Sequence, residues 1–366
     1  MEATRLTDPG FWASGEAVTP GASIDPAALA AAPGLLFFQS SGTTGRSRWI
    51  GLRREALLLS AAVVNRYLGV GADDAWGLAL PLHHVGGFGV VARAYEGGCR
   101  MSVFPGRWDA AAFAAWLEGG GVTHTSLVPT QVHDLVAAGL RSPSRLRAVV
   151  VGGGVLAPSA GSEARRLGWP VLASYGMTEA GSQVATQGLE LLEQPYQTGP
   201  LPLLPHWKAR VDGDPGRIEL QGPSLHDGVL EEAAGGWVFR ERGGEWFATS
   251  DLGRLEGREL EMLGRADLQV KVLGELVDPE SVERELGVDG VVVVALPDPR
   301  REHRLVAVVE QGSDARAVGR RLAAYHRRCE GFRRIDEIVR VAAIPRSELG
   351  KVRRAELTRL LGGRPN

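Results

Sequence analysis

The chain has 366 residues, 44% of them hydrophobic and 23% charged, which is typical of a soluble globular protein with one large domain or two. The formal net charge of −2 gives no reason to expect nucleic acid or an anionic membrane as the main partner, and two distant cysteines exclude a disulfide scaffold or a zinc ribbon. No run reaches the roughly 18 apolar residues of a membrane span, and the first residues lack the apolar core of a signal peptide, so we expect a cytoplasmic protein without membrane insertion.

The first half of the chain alternates between two kinds of segment. ALLLSAAVVNRYL at 56–68 predicts a helix, and so does PTQVHDLVAAGL at 129–140, which begins with a proline. Between such helices lie short apolar runs typical of buried strands, at 35–39, 76–82, 123–128, 146–154 and 171–176. The alternation predicts an α/β fold, with a large N-terminal domain whose sheet is mostly parallel.

The pattern changes after about residue 198. Short strands with glycine turns, such as RIELQG and EWFATSD, predict a β-rich subdomain. A boundary falls near GRADLQV at 264–270, and the remaining residues predict a compact α+β unit of ordinary domain size. We therefore expect one domain at 1–265 and a second, small domain at 266–366.

Lysine is rare in this chain. Of the 41 Lys and Arg residues only three are lysine, namely Lys208, Lys271 and Lys351. Lysine carries a compact charge on a thin stem, whereas arginine carries a broad planar fork, so the two are not interchangeable. We expect Lys208 to be an ordinary surface residue and the other two to have a function.

Two polar segments follow predicted strands. SSGTTGRSR at 40–48 offers backbone N–H groups and hydroxyls between a predicted strand and helix, and such a loop either wraps the phosphates of ATP or is a flexible surface turn. In SYGMTEAGS at 174–182, the aromatic ring can stack on a flat base, Thr178 can donate to a phosphate and Glu179 can hold Mg²⁺. The alternative for the second segment is a strand-end turn with a packed tyrosine and a solvated glutamate.

Two further segments carry charges that ATP chemistry uses. Asp251 follows a predicted strand, where a carboxylate can accept both hydroxyls of a ribose, and Lys271 and Gly274 form a KxxG motif just beyond the boundary. Lys351 lies in a predicted loop near the C-terminus, and a mobile lysine there can stabilise the charge that develops as pyrophosphate leaves. Each charge alone is equally compatible with a solvated turn.

In this order the segments resemble the adenylate-forming superfamily, which includes acyl-CoA and aryl-CoA synthetases. Residues 41–45 match its phosphate loop, (S/T)SGTTGxPKG, and residues 175–179 match its YGxTE motif. TSD at 249–251 matches its TGD motif. Residues 264–274 match its GRxD…KxxG motif, and residues 345–354 match its PKxxxGKxxR motif. The resemblance implies an adenylate-forming fold with a mobile C-terminal domain, and ATP, Mg²⁺ and coenzyme A as cofactors. It assigns binding of these cofactors to Ser40, Ser41, Gly42, Thr43, Thr44, Gly45, Arg48, Gly153, Gly154, Ser174, Tyr175, Gly176, Asp251, Arg265, Lys271 and Gly274.

The resemblance also implies a two-step reaction. ATP and a carboxylate give an acyl-adenylate and pyrophosphate, the C-terminal domain then rotates, and a thiol, usually that of coenzyme A, attacks. Lys351, Thr178 and Glu179, the last as Mg²⁺ ligand, are implied as catalytic residues of the first step. Asp267 is the implied hinge, and the face carrying Lys271 and Gly274 serves the second step.

The acid is indicated by PLHHVGGFGVVARA at 81–94 and THTSLVPTQVHDLV at 123–136, which look most like o-succinylbenzoate–CoA ligases. That resemblance places His84, Arg93 and Ser126 at the acyl site, with Arg93 pairing a second substrate carboxylate. An arginine on an apolar helix is costly to bury without an anion, and a diacid would supply one. The alternative is an Arg93 that extends to solvent or pairs with Glu96. The predicted function is thus an ATP-dependent acid–CoA ligase with 2-succinylbenzoate as substrate.

Three departures from the family pattern keep other functions open. Ser47 and Arg48 replace the proline and lysine of the phosphate loop, Arg346 replaces another lysine, and family members carry a longer segment before the loop. A homodimer partner could cover a sheet edge that such a loss exposes. The alternatives are a ligase for another aromatic acid, a module that loads a carrier protein, and a trimmed paralogue that binds nucleotide or acyl-adenylate without catalysis.

Overall fold

The structure is a computed structural model, and it describes residues 3–40, 48–233, 236–288, 290–348 and 350–362. The described helices are α1 Pro9–Ala13, α2 Pro26–Ala30, α3 Arg54–Tyr67, α4 Val85–Glu96, α5 Ala110–Gly120, α6 Pro129–Ala137, α7 Pro158–Arg166, α8 Pro279–Leu286, α9 Ala315–His326 and α10 Arg354–Gly362. Single 3-10 turns lie at Ala3–Thr7, Thr178–Ala180, Leu189–Glu193, Ala266–Leu268 and Gly331–Arg333.

The strands fall into several sheets. In chain order they are β1 Leu36–Ser40, β2 Arg48–Leu52, β3 Ala75–Leu78, β4 Arg100–Val103, β5 His124–Leu127, β6 Ala148–Val151, β7 Val171–Met177, β8 Ser182–Thr186, β9 Leu201–Pro202, β10 Lys208–Gly213, β11 Gly216–Gln221, β12 Gly228–Ala233, β13 Gly236–Glu241, β14 Phe247–Glu256, β15 Glu259–Arg265, β16 Val270–Val272, β17 Glu275–Val277, β18 Val291–Asp298, β19 Glu302–Glu310 and β20 Ile335–Val341.

The largest sheet confirms the predicted α/β architecture. Its six strands have the order β4-β3-β5-β6-β7-β8, and every neighbouring pair is parallel except β7 with β8. Strands β3, β5 and β6 are buried along their whole length, because parallel strands are covered on both faces by their crossover helices. The short apolar runs in the sequence make this burial favourable.

The first strand differs from the expectation. β1 does not join the parallel sheet but pairs antiparallel with β2 in a four-stranded sheet of order β1-β2-β12-β13. The polar segment after β1 was predicted to lead into a helix, yet it leads into β2, and α3 begins only at Arg54. Parallel pairing needs a crossover of a dozen or more residues, and the connection from 41 to 47 is too short for one.

The predicted β-rich region after residue 198 is confirmed by a five-stranded sheet of order β10-β11-β14-β15-β9. The chain divides into two compact units, the first formed by 1–210, 219–248 and 255–261 and the second by 211–218, 249–254 and 262–366. The second unit's main segment begins three residues before the predicted boundary at 265. That this boundary separates two domains with different functions stays a prediction.

The second unit has its own core around the sheet β18-β19-β20. Alternate residues of a strand face opposite sides, so Val293 and Ala307 pack with α8 and α9 while Val292 and Val306 pack with α10. β16 and β17 form a separate two-stranded hairpin. None of the helices in the described residues combines the length and the apolar character that crossing a membrane would need.

Candidate active site

Several predicted site residues of the first unit lie at or near the carboxyl ends of neighbouring parallel strands. Ser126 lies in β5, Gly153 and Gly154 follow β6, and Ser174 to Gly176 close β7. Ligands of open α/β sheets bind at this edge, because the strand ends leave a crevice between connecting loops. The sheet order therefore brings together three motifs that are far apart in the sequence.

The predicted phosphate loop can be located only at its ends. Ser41, Gly42, Thr43, Thr44 and Gly45 lie outside the described residues. Ser40, the last residue of β1, donates its hydroxyl to the carbonyl oxygen of Arg48 at 3.5 Å, and Arg48 begins β2 with an exposed side chain.

The glycines of the predicted nucleotide site fall into two groups. Gly153 has a φ of 78°, which favours glycine, and Gly154 is exposed with only Pro129 nearby. Gly176 is constrained, because a methyl group there would lie 2.0 Å from the carbonyl oxygen of Ser182. The YGxTE glycine thus lets β7 and β8 approach each other beside the site.

Ser174, Thr178 and Glu179 surround the end of β7. The Ser174 hydroxyl lies 2.8 Å from that of Thr186, while Tyr175 is half-buried. The Thr178–Ala180 turn is fixed by His226, whose backbone N–H donates to the Glu179 carbonyl oxygen at 2.8 Å. The adjacent Thr178 hydroxyl and Glu179 carboxylate are hard oxygen donors of the kind that Mg²⁺ prefers, so these residues fit a magnesium ion chemically.

Arg93 is a buried cation on α4. It is 2% exposed, and its Nη1 donates to the Ser126 hydroxyl at 3.0 Å, so two predicted substrate residues are in direct contact. The guanidinium carbon lies 4.8 Å from the ring centre of Trp76, a cation–π arrangement. Burial lowers the pKa of Arg93 to about 9.

No carboxylate among the described residues forms an ion pair with Arg93. Glu96, the alternative partner, instead accepts a hydrogen bond from Asn65 at 2.7 Å. Both alternatives for Arg93, extension to solvent and pairing with Glu96, are therefore wrong.

A second buried arginine shows what a purely structural arginine looks like in this fold. Arg54 is 3% exposed and donates three hydrogen bonds of 2.9 Å, to the carbonyl oxygens of Phe11, Glu16 and Gly34. Arg93 has one neutral hydroxyl partner in the described chain where Arg54 has three carbonyl groups. The hydrogen-bonding capacity of Arg93 is thus available to an anionic ligand.

Sequence reasoning missed three neighbours of Arg93. Trp76 supplies the aromatic face, and a methyl group at Gly89 would lie 2.9 Å from Arg93 Nη2 and 3.2 Å from the Ser182 hydroxyl. Gly89 precedes Arg93 by one helical turn, a spacing that could have identified it. Nothing in the sequence pointed to Trp76, or to Ser182 with its φ of 134°.

His84, the predicted wall of the acyl site, is half-buried and immediately precedes α4. Its ring centre lies 4.3 Å from that of His83. The structure therefore places His84 at the N-cap of the helix that carries Arg93.

In the second unit, Asp251, Arg265 and Asp267 form one charged group. Arg265 donates two hydrogen bonds of 2.8 and 2.7 Å to Asp267, and its Nη1 lies 3.6 Å from the buried Asp251 carboxylate. Asp267, and next the charge of Asp251, hold the pKa of Arg265 above its usual value against the opposing effect of burial. Thr249 orients Asp251 by accepting its backbone N–H at 3.0 Å. A carboxylate held in this way can accept ribose hydroxyls.

The motif lysines are exposed on two different segments of the second unit. Lys271 lies in β16, and Gly274, with a φ of 85° and open space around it, forms the turn to β17. Lys351 ends a tight turn, where its carbonyl oxygen accepts the backbone N–H of Ser347 at 2.8 Å. The two lysines thus lie in separate segments of the second unit, Lys271 in the hairpin of β16 and β17 and Lys351 at the end of a turn.

Comparisons with known proteins agree with this arrangement. The family model described as AMP-binding enzyme matches residues 14–228. A 2-succinylbenzoate–CoA ligase of Salmonella typhimurium is 33% identical over 283 residues, which cover 75% of this chain and 58% of the ligase. A probable 2-succinylbenzoate–CoA ligase of Mycobacterium tuberculosis is 30% identical over 344 residues, which cover 90% of this chain and 85% of that protein. The chain thus spans less than two thirds of the Salmonella ligase.

Solved structures show the same relationship. The o-succinylbenzoate CoA synthetase MenE of Bacillus subtilis, in complex with the acyl-adenylate intermediate OSB-AMP, superposes with a TM-score of 0.74 at 25% identity over 88% of this chain and 68% of that one. Wild-type Escherichia coli MenE with a bound OSB-AMS analogue gives 0.69 at 26% identity over 90% and 70%. Together with the family model and the motifs at the sheet edge, these likenesses show that the chain belongs to the AMP-binding, adenylate-forming enzyme family.

Proposed function

We propose that the protein is an ATP-dependent acid–CoA ligase whose substrate is 2-succinylbenzoate. In the first step a carboxylate oxygen of the acid attacks the α-phosphorus of ATP, and pyrophosphate leaves. In the second step the thiolate of coenzyme A attacks the acyl carbon of the resulting adenylate, and AMP leaves. The products are 2-succinylbenzoyl-CoA, AMP and pyrophosphate.

One observation supports a substrate with a second carboxylate. Arg93 is buried without a carboxylate partner in the described chain, and its one hydrogen bond goes to the neutral Ser126. Burying a charge is costly unless it is paired, and a substrate carboxylate would pair it with a planar, two-point geometry. The similar ligases are named for 2-succinylbenzoate, and the Bacillus enzyme binds OSB-AMP, so both fit the same acid.

The remaining roles follow from residue chemistry. Thr178 and Glu179 would hold Mg²⁺, which when bound neutralises phosphate charge, and Asp251 would orient the ribose. Lys351 would stabilise the negative charge that develops as pyrophosphate leaves. Lys271, on the hairpin with Gly274, would act with coenzyme A in the second step.

The decisive assay measures pyrophosphate release with ATP, Mg²⁺ and either 2-succinylbenzoate or benzoate, with and without coenzyme A. Release that needs 2-succinylbenzoate, and a thioester that forms only with coenzyme A, would support the proposal. Release with benzoate but not the diacid would retain the ligase and refute the role of Arg93. Binding of ATP without release for any acid would indicate the non-catalytic paralogue, and transfer only to a phosphopantetheinyl protein would indicate the carrier-loading module.

Two lysine variants separate the half-reactions. Lys351→Ala should lose pyrophosphate release yet still convert supplied acyl-adenylate to thioester, whereas Lys271→Ala should do the reverse. Lys208→Ala, an exposed lysine in the first unit, is the control and should change neither. Equal loss of both steps in one of the motif variants would refute the division of roles.

The predicted homodimer and cytoplasmic location are not needed for this chemistry. Both stay predictions, and sedimentation of the full chain would test the first.

A further inference from the structure

Helix α9 carries an unusual concentration of positive charge. Residues 315–328 contain five arginines and no aspartate or glutamate, although the whole chain has a net charge of −2. The charge is therefore unevenly distributed, and this helix is a local exception to an otherwise slightly acidic protein.

Three of the five arginines lie on one face. Val318 and Tyr325 are 5% and 1% exposed and pack into the core of the second unit. At 100° per residue, Arg316, Arg320 and Arg327 lie on the opposite side of the helix, and all three are exposed. We call these three residues the arginine stripe; it is about 17 Å long at 1.5 Å per residue.

None of the three stripe arginines forms a salt bridge with a carboxylate of the described residues, in contrast to several other arginines of this chain. Arg333 pairs with Glu285, and Arg301 and Arg304 pair with acids of β20. The acid beside the stripe is Asp314, whose charge attracts Arg320 and whose carboxylate accepts the backbone N–H groups of Arg316 and Ala317 as the helix N-cap.

The arrangement works against the stability of the helix itself. Arg316 and Arg320 are one turn apart, where like charges repel. Arg316 also lies in the first turn, where the helix dipole disfavours a cation. Local stability therefore does not account for the stripe. An external anion would offset both unfavourable interactions, because it attracts each of the arginines.

The surface between the charges decides which anion fits. Gly319 and Ala323, both exposed, lie between the arginines. Because these two residues have no side chain or only a methyl group, the backbone of another helix can approach this face closely. It presents no exposed large apolar side chain for insertion into lipid, because the apolar residues of α9 are committed to the core. Arginine forks bind carboxylates in a two-point geometry, and carboxylates one turn apart on a second helix would match their spacing.

We propose that the arginine stripe is a docking surface for a partner protein with an acidic helix. The contact consists of carboxylates on one face of that helix against Arg316, Arg320 and Arg327. None of these three arginines is among the residues assigned to the ligase reaction, so we expect the contact to recruit a partner without taking part in the chemistry.

The test uses the full chain and two labelled helical peptides of identical composition. One peptide presents its glutamates on a single face at the spacing of the stripe, and the other distributes them around the helix. Anisotropy should show tighter, salt-sensitive binding of the single-face peptide. The triple variant Arg316→Gln, Arg320→Gln, Arg327→Gln should weaken that binding at least about tenfold while its resistance to urea stays equal or rises.

The control variant removes the same charge elsewhere, by Arg100→Gln, Arg107→Gln and Arg141→Gln at exposed positions, and should bind like wild type. Equal binding of the two peptides to wild type would mean general attraction of polyanions and would overturn the proposal without any variant. Binding to phosphatidylserine vesicles but to neither peptide would indicate a membrane surface and would also overturn it. So would the absence of binding to either peptide.

Discussion

Replacing Arg93 with methionine should separate activity from stability. The substitution keeps the unbranched apolar stem of the side chain but removes the guanidinium and its charge, and Arg93 is almost fully buried. Removing one partner of a buried ion pair costs about 3–5 kcal/mol, because the other charge is left uncompensated. With a diacid substrate the uncompensated charge is its second carboxylate. We therefore expect kcat/KM for 2-succinylbenzoate to fall about 10²- to 10³-fold.

Without substrate the same change should stabilise the protein. Burial lowers the pKa of Arg93 from its ordinary 12.5 to about 9, a desolvation cost of about 5 kcal/mol at 1.4 kcal/mol per pH unit. The variant also loses the contact with Trp76 and the hydrogen bond to Ser126, together about 2 kcal/mol. The net expectation is a gain of about 3 kcal/mol in the free energy of unfolding, measured by urea titration.

Arg54→Met is the matched control. It leaves three main-chain carbonyl groups without a donor and should destabilise the chain by about 3 kcal/mol or more. It should not change the preference for the diacid over benzoate. If Arg93→Met destabilises the chain as Arg54→Met does, or loses benzoate and diacid activity equally, Arg93 is a structural residue and the reasoning fails.

Other consequences can be measured directly. Because the folded pKa of Arg93 is about 9, kcat/KM for the diacid should decline as pH rises through about 9, and benzoate turnover should not follow it. Gly176→Ala should cost about 1–3 kcal/mol of stability and most of the pyrophosphate release, because the added methyl group clashes with β8. Gly154→Ala should be tolerated, because its methyl group would meet no such clash. Similar urea midpoints for the two variants would contradict the packing argument. Burial lowers the pKa of His124 and His226 to about 4, so the unfolded chain binds more protons than the folded chain between pH 6.5 and 4. The free energy of unfolding should therefore fall as pH falls through that window. A free energy of unfolding that stays constant in urea titrations from pH 7 to 5 would contradict this prediction.

Much of the parallel sheet could be predicted because its cause is local. A strand covered on both faces must be apolar at every position, and β3, β5 and β6 carry that pattern in their own residues. The motif residues at the ends of β6 and β7 could be placed for the same reason, since a motif that follows a strand must lie at its carboxyl edge.

The antiparallel sheet could not be predicted, because its pairing is not local. β2 lies between β1 and β12, and Arg48 is in register with Glu231, far away in the sequence. Nothing in the five residues of β2 identifies that partner. The expectation of a helix directly after the phosphate loop failed for this reason.

The surroundings of Arg93 were only partly predictable. Its contact with Ser126 agrees with the resemblance that named both residues, although their role stays a prediction. Trp76 reaches the guanidinium from β3 through tertiary packing, which leaves no trace in sequence spacing. The cation can remain buried without a carboxylate because an aromatic face and a hydroxyl replace the water it has lost.

The scarcity of lysine makes this protein chemically addressable without mutation. Apart from the terminal amine, an amine-selective acylating reagent meets only Lys208, Lys271 and Lys351, and all three are exposed. Each lies in a different part of the chain, so after digestion the extent of labelling at each can be read by mass spectrometry. The reactivity of Lys271 and Lys351 then reports the accessibility of the two motif segments in one native sample, with Lys208 as an internal standard.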